Sequence, residues 1–324
     1  MKNKMENIKV SHLNKTYKNG VTAIDDLSLQ VKQGEVFTLL GKNGAGKSTL
    51  INILTTFLSA TSGEITMFGM DLKTHTSEIR RKISCVAQKP SIDQYLSLKE
   101  NLLFQARLYG IPLEEAKNRM KRLMECFELE RYAKMPVSAY SGGVKRRLDI
   151  AVSMMSNPQI IFLDEPTVGM DIQSRMAMWE MINKIKKEFG TTIFLTTHYL
   201  EEADVLSDTI CIIKDGKNVI QGTAPELRKY INQKMIEIAL AGKEDIKRCR
   251  NMLDEMYISE KVFENEDNVC RIRYKGSLDE MHQLIKRFME NGILFQGIQM
   301  VQPSMEDIFL QFTSENKGDD GKCY

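Results

Sequence analysis

The stretch V36-F37-T38-L39-L40-G41-K42-N43-G44-A45-G46-K47-S48-T49-L50-I51-N52-I53-L54 decides the fold. Its first five residues carry no charge and read as a buried strand, and the last five resume a helical pattern. Between them G-x-x-x-x-G-K-[ST] is complete, and a strand before and a helix after are the context that makes this motif specific. Small residues let successive backbone N–H groups turn inward around a phosphate, and the helix start adds its partial positive charge. Gly41, Asn43, Gly44, Gly46, Lys47, Ser48 and Thr49 are therefore expected to cradle a nucleotide. Lys47 would reach the β/γ oxygens and Ser48 would offer its hydroxyl to Mg²⁺.

Downstream, I160-I161-F162-L163-D164-E165 is an apolar strand closed by two carboxylates. Open α/β sheets bind ligands at such strand tips. Asp164 is expected to hold Mg²⁺ through its water shell, and Glu165 to polarise an attacking water. Upstream of that strand, Ser141-Gly142-Gly143 opens a basic helical run, an arrangement that makes an anion site.

The rest of the chain supports an α/β protein. With 45 basic and 43 acidic side chains in 324 residues the formal charge is +2, which gives no support for a polyanion-binding surface, so no nucleic acid is expected. No apolar run is long enough to cross a bilayer, and the first residues carry no export signal. The six cysteines have no C-x-x-C pair and read as reduced thiols. Strands are expected near 8–10, 27–31, 63–68, 83–87, 191–196 and 208–213, with a helix over 175–189. Apolar strands separated by helices predict a mostly parallel sheet covered on both faces. Amphipathic patterns over 98–109 and 114–127, broken at 110–112, read as a helical insert at about 95–140. Residues 1–225 thus form one domain. Residues 226–314 form a small α+β domain of βαββαβ order (strands at 236–240, 261–264, 269–274 and 295–301, helices at 244–256 and 278–291, a turn at 265–268). A ferredoxin-like sheet is its simplest closure. Residues 315–324 read as a frayed tail.

With these motifs in order, residues 6–225 resemble the ATP-binding-cassette (ABC) ATPases. Ser141-Gly142-Gly143 matches the family signature, with Tyr140 where Leu is commoner and Val144 where Gln is common. The resemblance implies that the signature of one cassette caps the γ-phosphate held by the phosphate loop of another. It also implies that Gln88 touches Mg²⁺ and water, and that His198 holds the γ-phosphate and orients Glu165. Gly169-Met170-Asp171 would be the loop by which cassettes sense each other, and Tyr17 would stack on adenine.

The interval between Lys47 and Tyr140 is too short for the coiled-coil insert of chromosome-maintenance relatives, and one phosphate loop argues against the two-cassette translation relatives. The run K-R-R-L-D-I-A and the ending Pro303-Ser304-Met305-Glu306-Asp307-Ile308-Phe309-Leu310 are similar to exporter ATPases of the daunorubicin-resistance and sodium-export type. That resemblance implies ATP and Mg²⁺ as ligands and a second ATPase subunit, in a homodimer. It also implies a separate transmembrane permease at the cytoplasmic face of the membrane. The competing reading is a soluble ABC-type ATPase acting on the ribosome or another macromolecular assembly. Residues 226–314 would serve dimerisation or regulation, with a small-ligand sensor as the alternative.

Overall fold

The computed structural model describes residues 6–133, 135–231, 235–240, 242–255, 261–266, 269–275 and 277–313. The expected tail at 315–324 and the turn residues 267–268 lie outside them. The chain divides into one unit ending at Ala224 and a second beginning at Pro225.

The first unit contains β1 (Glu6–Thr16), β2 (Thr22–Lys32), β3 (Val36–Leu40), α1 (Lys47–Leu54), β4 (Ser62–Met67), β5 (Met70–Asp71), α2 (Thr76–Arg80) and β6 (Ile83–Val86). There follow α3 (Leu98–Leu108), α4 (Leu113–Cys126), α5 (Gly142–Met154), β7 (Ile160–Asp164), α6 (Ile172–Lys184), β8 (Thr192–Thr197), α7 (Leu200–Leu206), β9 (Thr209–Lys214) and β10 (Lys217–Gly222). Two sheets form. One has the order β10-β9-β3-β8-β7-β6, parallel from β9 through β6, with β10 antiparallel at one edge. The other, β2-β1-β4-β5, is wholly antiparallel. The mostly parallel sheet is as expected, but three of the expected strands leave it to build this second sheet.

Alternation along the parallel strands explains the two cores. Phe37, Leu39, Phe162 and Phe194 point to one face, where they meet α1 and the antiparallel sheet. Val36, Ile161, Leu163, Ile193 and Leu195 point to the other, beneath α3 to α6. Side chains one residue apart on a strand must face opposite ways, so apolar runs covered on both faces result. The Phe194 ring lies 5.1 Å from that of Phe37 and 5.3 Å from that of Phe162. Phe162→Ala opens a cavity in that stack, and urea unfolding is expected to show a loss of about 3–5 kcal/mol.

The helix expected at 175–189 starts earlier, at Ile172. Asp171 caps it, with Oδ1 accepting from the Ser174 N–H at 2.8 Å. Its far end passes into a π-helical turn over Ile185–Phe189, closed by Gly190 at φ 65°.

The helix α8 (Ala224–Lys229) leads into the second unit. This unit runs β11 (Met235–Leu240), α9 (Lys243–Glu255), β12 (Lys261–Glu266), β13 (Val269–Lys275), α10 (Leu278–Glu290), β14 (Gly297–Val301) and α11 (Met305–Thr313). Its sheet order, β12-β13-β11-β14 with every pair antiparallel, is the ferredoxin-like arrangement. Ile236, Ile238 and Leu240 alternate onto one face and pack with Leu253, Leu284 and Phe288. The Ser304–Asp307 part of the exporter-like ending caps the start of α11: Ser304 N–H donates to Asp307 Oδ2 at 2.7 Å, and Asp307 N–H donates to Ser304 Oγ at 3.2 Å.

Candidate functional site

Four neighbouring parallel strands, β3, β8, β7 and β6, end on the same side, and each delivers a piece of one site. After β3 the chain turns through Gly44 and Gly46, at φ 84° and 104°, into α1. A Cβ on Gly46 would lie 2.5 Å from the Ala23 carbonyl oxygen. Strain and clash together mean that Gly46→Ala should weaken nucleotide binding by about tenfold or more in a fluorescent-nucleotide titration. Gly41 stands outside the lining of the cleft and shapes the loop from behind. Its carbonyl accepts from Lys47 Nζ at 2.7 Å, and the Lys42 carbonyl does so at 3.1 Å. These bonds fold the buried Lys47 side chain back over its own loop.

The cleft has a volume of about 350 Å³ and is lined by Asn43, Gly44, Gly46, Lys47, Ser48 and Thr49 on one side. Gln88, Asp164 and Glu165 line the other side, and Ala23 completes the wall. Sequence reasoning missed Ala23, whose side chain carries no chemical signal.

Thr196 was also missed, and it organises the carboxylates. Its hydroxyl donates to Asp164 Oδ1 at 2.5 Å, while its Oγ1 and carbonyl oxygen both accept from the Glu165 N–H at 3.1 Å. The signal available was a buried threonine at a strand end beside the carboxylate strand. Glu165 is held at φ 45°, a left-handed conformation that costs about 1–3 kcal/mol in a non-glycine residue. That turn presents its Oε1 3.5 Å from Lys47 Nζ and 3.2 Å from His198 Nδ1. Lys47, Glu165 and His198 therefore form one cluster, though His198 stands just behind the cleft wall.

A second tie runs from α5. Arg146, buried in a run that reads merely as basic, donates to the carbonyls of Ala87 and, at 2.9 Å, of Asp164. Asp149 on the same helix stands 3.5 Å from the guanidinium and accepts from Ser91 Oγ at 2.7 Å. Burial lowers the Arg146 pKa and raises that of Asp149. The segment carrying Gln88 is thus fastened at both flanks to the helix headed by Ser141. Cys85, on β6 below it, is a free thiol whose pKa burial pushes up to about 11, which leaves it protonated and unreactive at neutral pH.

The remaining expected residues are not gathered into the cleft. Tyr17 stands at its rim, its hydroxyl 3.2 Å from Thr49 Oγ1. Ser141, Gly142 and Gly143 lie at the start of α5, with the first two exposed, and none lines the cleft. Ser141 Oγ caps the helix, accepting from the Val144 N–H at 3.5 Å. Asp171 is likewise engaged in its own helix cap, and the Ser174 hydrogen bonds hold its carboxyl below the usual range.

The donor set suits a triphosphate with a hard cation: backbone amides and Lys47 for phosphate oxygens, and hydroxyl, amide and carboxylate oxygens of Ser48, Gln88 and Asp164 for Mg²⁺. A family model described as ABC transporter matches residues 24–168. Over 320 residues the chain is 35% identical to the doxorubicin resistance ATP-binding protein DrrA of Mycobacterium tuberculosis, covering 97% of this chain and 96% of that one. The chain belongs to the ABC transporter family. Its likeness to DrrA runs through both units. Among solved structures, cbiO1 of Clostridium perfringens, part of an ABC transporter complex, matches this ABC protein with a TM-score of 0.64 at 27% identity. That match covers 70% of this chain and 94% of the other. An ATP-binding cassette solved as a dimer in a post-hydrolysis state with ADP and Pi matches with a TM-score of 0.60 at 28% identity, over 67% of this chain and 98% of that one. This ABC protein binds ATP and is an ATP-hydrolysing subunit of an exporter. No helix among the described residues is long and apolar enough to cross a membrane.

Proposed function

We propose that two copies of this chain pair head to tail, sandwich two ATP·Mg²⁺, and drive a separate membrane permease from the cytoplasmic face. The observation that carries this reading is Gly142. A Cβ built there meets nothing within 4 Å, and its backbone is not left-handed, so nothing in the chain itself demands glycine. An exposed glycine at a helix N-terminus, kept small for no internal reason, suits close approach by a phosphate from outside. The cassette with ADP and Pi described above is a dimer, which supports pairing of two copies.

In this mechanism the amides of Gly44 and Gly46 and the Lys47 ammonium hold the β- and γ-phosphates. Lys47 then exchanges its carbonyl partners for phosphate oxygens. Ser48, Gln88 and Asp164 would hold Mg²⁺, which when bound neutralises charge on the phosphate oxygens. Glu165 draws a proton from the attacking water, and His198 holds both Glu165 and the γ-phosphate in line. The partner subunit's Ser141 and Gly142 close the site from the other side. Tyr17 supplies the surface on which adenine stacks. Positioning and fixed dipoles, with no covalent intermediate, carry the rate.

For the permease, the exposed side chains of Phe104, Leu108 and Tyr109 on and beside α3, with Tyr95 before it, offer an apolar surface near the Gln88 segment. Substrate choice belongs to the permease, and the relationship to a doxorubicin resistance protein supports a small-molecule cargo. The second unit is proposed to stabilise the dimer. The test is recovery of tagged Glu165→Gln protein from gently solubilised native membranes, with and without ATP·Mg²⁺. One multi-span protein in fixed proportion is expected, whereas exclusively cytosolic partners would sink the transport reading.

A further inference from the structure

Glu202 on α7 has no exposed surface, and the mechanism above makes no use of it. Its Oε1 accepts from the Thr167 hydroxyl at 2.8 Å and from the Trp179 indole N–H at 3.1 Å. Burial pushes its pKa up, and the Thr167 and Trp179 hydrogen bonds, with Arg175, act in the opposite direction. A buried carboxyl group is costly unless it is hydrogen-bonded. What matters is which segments this one joins.

Thr167 follows Glu165 by two positions, and Glu202 follows His198 by four. The bond between Thr167 and Glu202 therefore ties the segment behind one member of the His198–Glu165 pair to the helix behind the other. Trp179 adds α6, the helix capped by Asp171. A second layer lies outside this: the Arg175 guanidinium stands 5.9 Å from the Trp179 ring centroid and 5.5 Å from that of Tyr199. The Tyr199 ring in turn packs on His198, with centroids 4.3 Å apart. The imidazole is thus braced through the Tyr199 ring by a cluster whose residues do not line the cleft.

We infer that Glu202 is a positioning residue for His198, fastening the helix behind the histidine to Thr167 and Trp179 so that the imidazole stays in register with Glu165. This rests on the reading of His198 as the residue that orients Glu165. It also supplies a route between sites. On the reading of Gly169-Met170-Asp171 as the loop that meets a second cassette, a shift there would reach His198 through α6, Trp179 and Glu202.

The test is a double-mutant cycle in the full chain, read as steady-state ATP hydrolysis beside ATP binding. Glu202→Ala is expected to lower kcat roughly tenfold to a hundredfold with ATP affinity little changed, since a small misplacement of a positioned group costs rate and not binding. Glu202→Gln keeps the acceptor oxygen and recovers most of the turnover. In the His198→Ala background, Glu202→Ala adds little further loss, because its effect passes through the imidazole. Additive losses on an impaired His198→Ala, or wild-type kcat in Glu202→Ala, would overturn the brace alone. Full turnover in His198→Ala would sink the reading of the histidine and the brace with it. Should Glu202→Ala not fold, Trp179→Phe removes the indole donor while keeping an aromatic ring, though a smaller one, and enters the same cycle, with a smaller, non-additive loss expected and an additive or absent one overturning the inference. Trp179 is the single tryptophan of the sequence, so its emission reports the brace directly. ATP should shift that emission in Glu165→Gln and not in the Glu165→Gln/Glu202→Ala double variant; an identical response in the two counts against the inference.

Discussion

Glu165→Gln is expected to bind ATP·Mg²⁺ at least as tightly as the parent chain and to turn it over about 10²–10⁴-fold more slowly. The substitution preserves shape and keeps an oxygen that can accept from His198, now 3.2 Å from Oε1. It removes the basicity needed to take a proton from water. It also removes a negative charge 3.5 Å from Lys47 Nζ, which competes with phosphate for that ammonium. Both changes favour the bound state over the reacting one. Light scattering after size exclusion should therefore show an ATP-dependent dimer that persists for hours, where the parent chain hydrolyses its nucleotide and separates. Undiminished hydrolysis would remove Glu165 from the mechanism. Loss of ATP binding would instead mean that the carboxylate serves to hold the phosphate loop, through Lys47, in its present form.

The phosphate loop and the strand-tip carboxylates were legible because their signals are local. An apolar strand that stops at glycine-rich or acidic residues marks a sheet edge whatever the rest of the chain does. The order of the second unit was legible for the same reason, and its ferredoxin-like closure follows because few antiparallel sheets accommodate βαββαβ. Which sheet a strand joins is not local. β1, β2 and β4 alternate like any half-covered strand, and only their pairing with one another separates them from the parallel sheet. The start of α6 was placed too late because Asp171, read only as part of an intersubunit loop, also caps the helix. Arg146 and Thr196 were passed over for a further reason. A buried arginine in a basic helix, or a threonine closing an apolar strand, acquires meaning only from carbonyls and carboxylates distant in sequence. Glu202 belongs with them, since nothing near it in sequence announces that Thr167 and Trp179 will converge on it.

Gly142→Asp is expected to fold normally, bind ATP normally and hydrolyse it about 10²–10³-fold more slowly, the loss associated with spoiling one oxyanion contact. Each part of that expectation has a separate cause. Within the chain the new side chain enters open space. An acidic residue in the first turn of α5 suits the helix dipole and replaces a poor helix former, so thermal stability should hold or rise slightly. The cleft of the same chain is untouched, because Gly142 does not line it. Hydrolysis fails only if the carboxylate meets the γ-phosphate of a second subunit, where like charges repel across a desolvated gap. Mixing sharpens the result. Lys47→Ala loses its own phosphate loop but keeps an intact Ser141-Gly142-Gly143, and Gly142→Asp has the reverse defect. A dimer of one subunit of each kind contains one complete composite site, so the mixture should regain hydrolysis that neither variant has alone. If Gly142→Asp hydrolyses ATP at the parent rate, the signature does not act across an interface, and this glycine has no role that either one chain or two can explain.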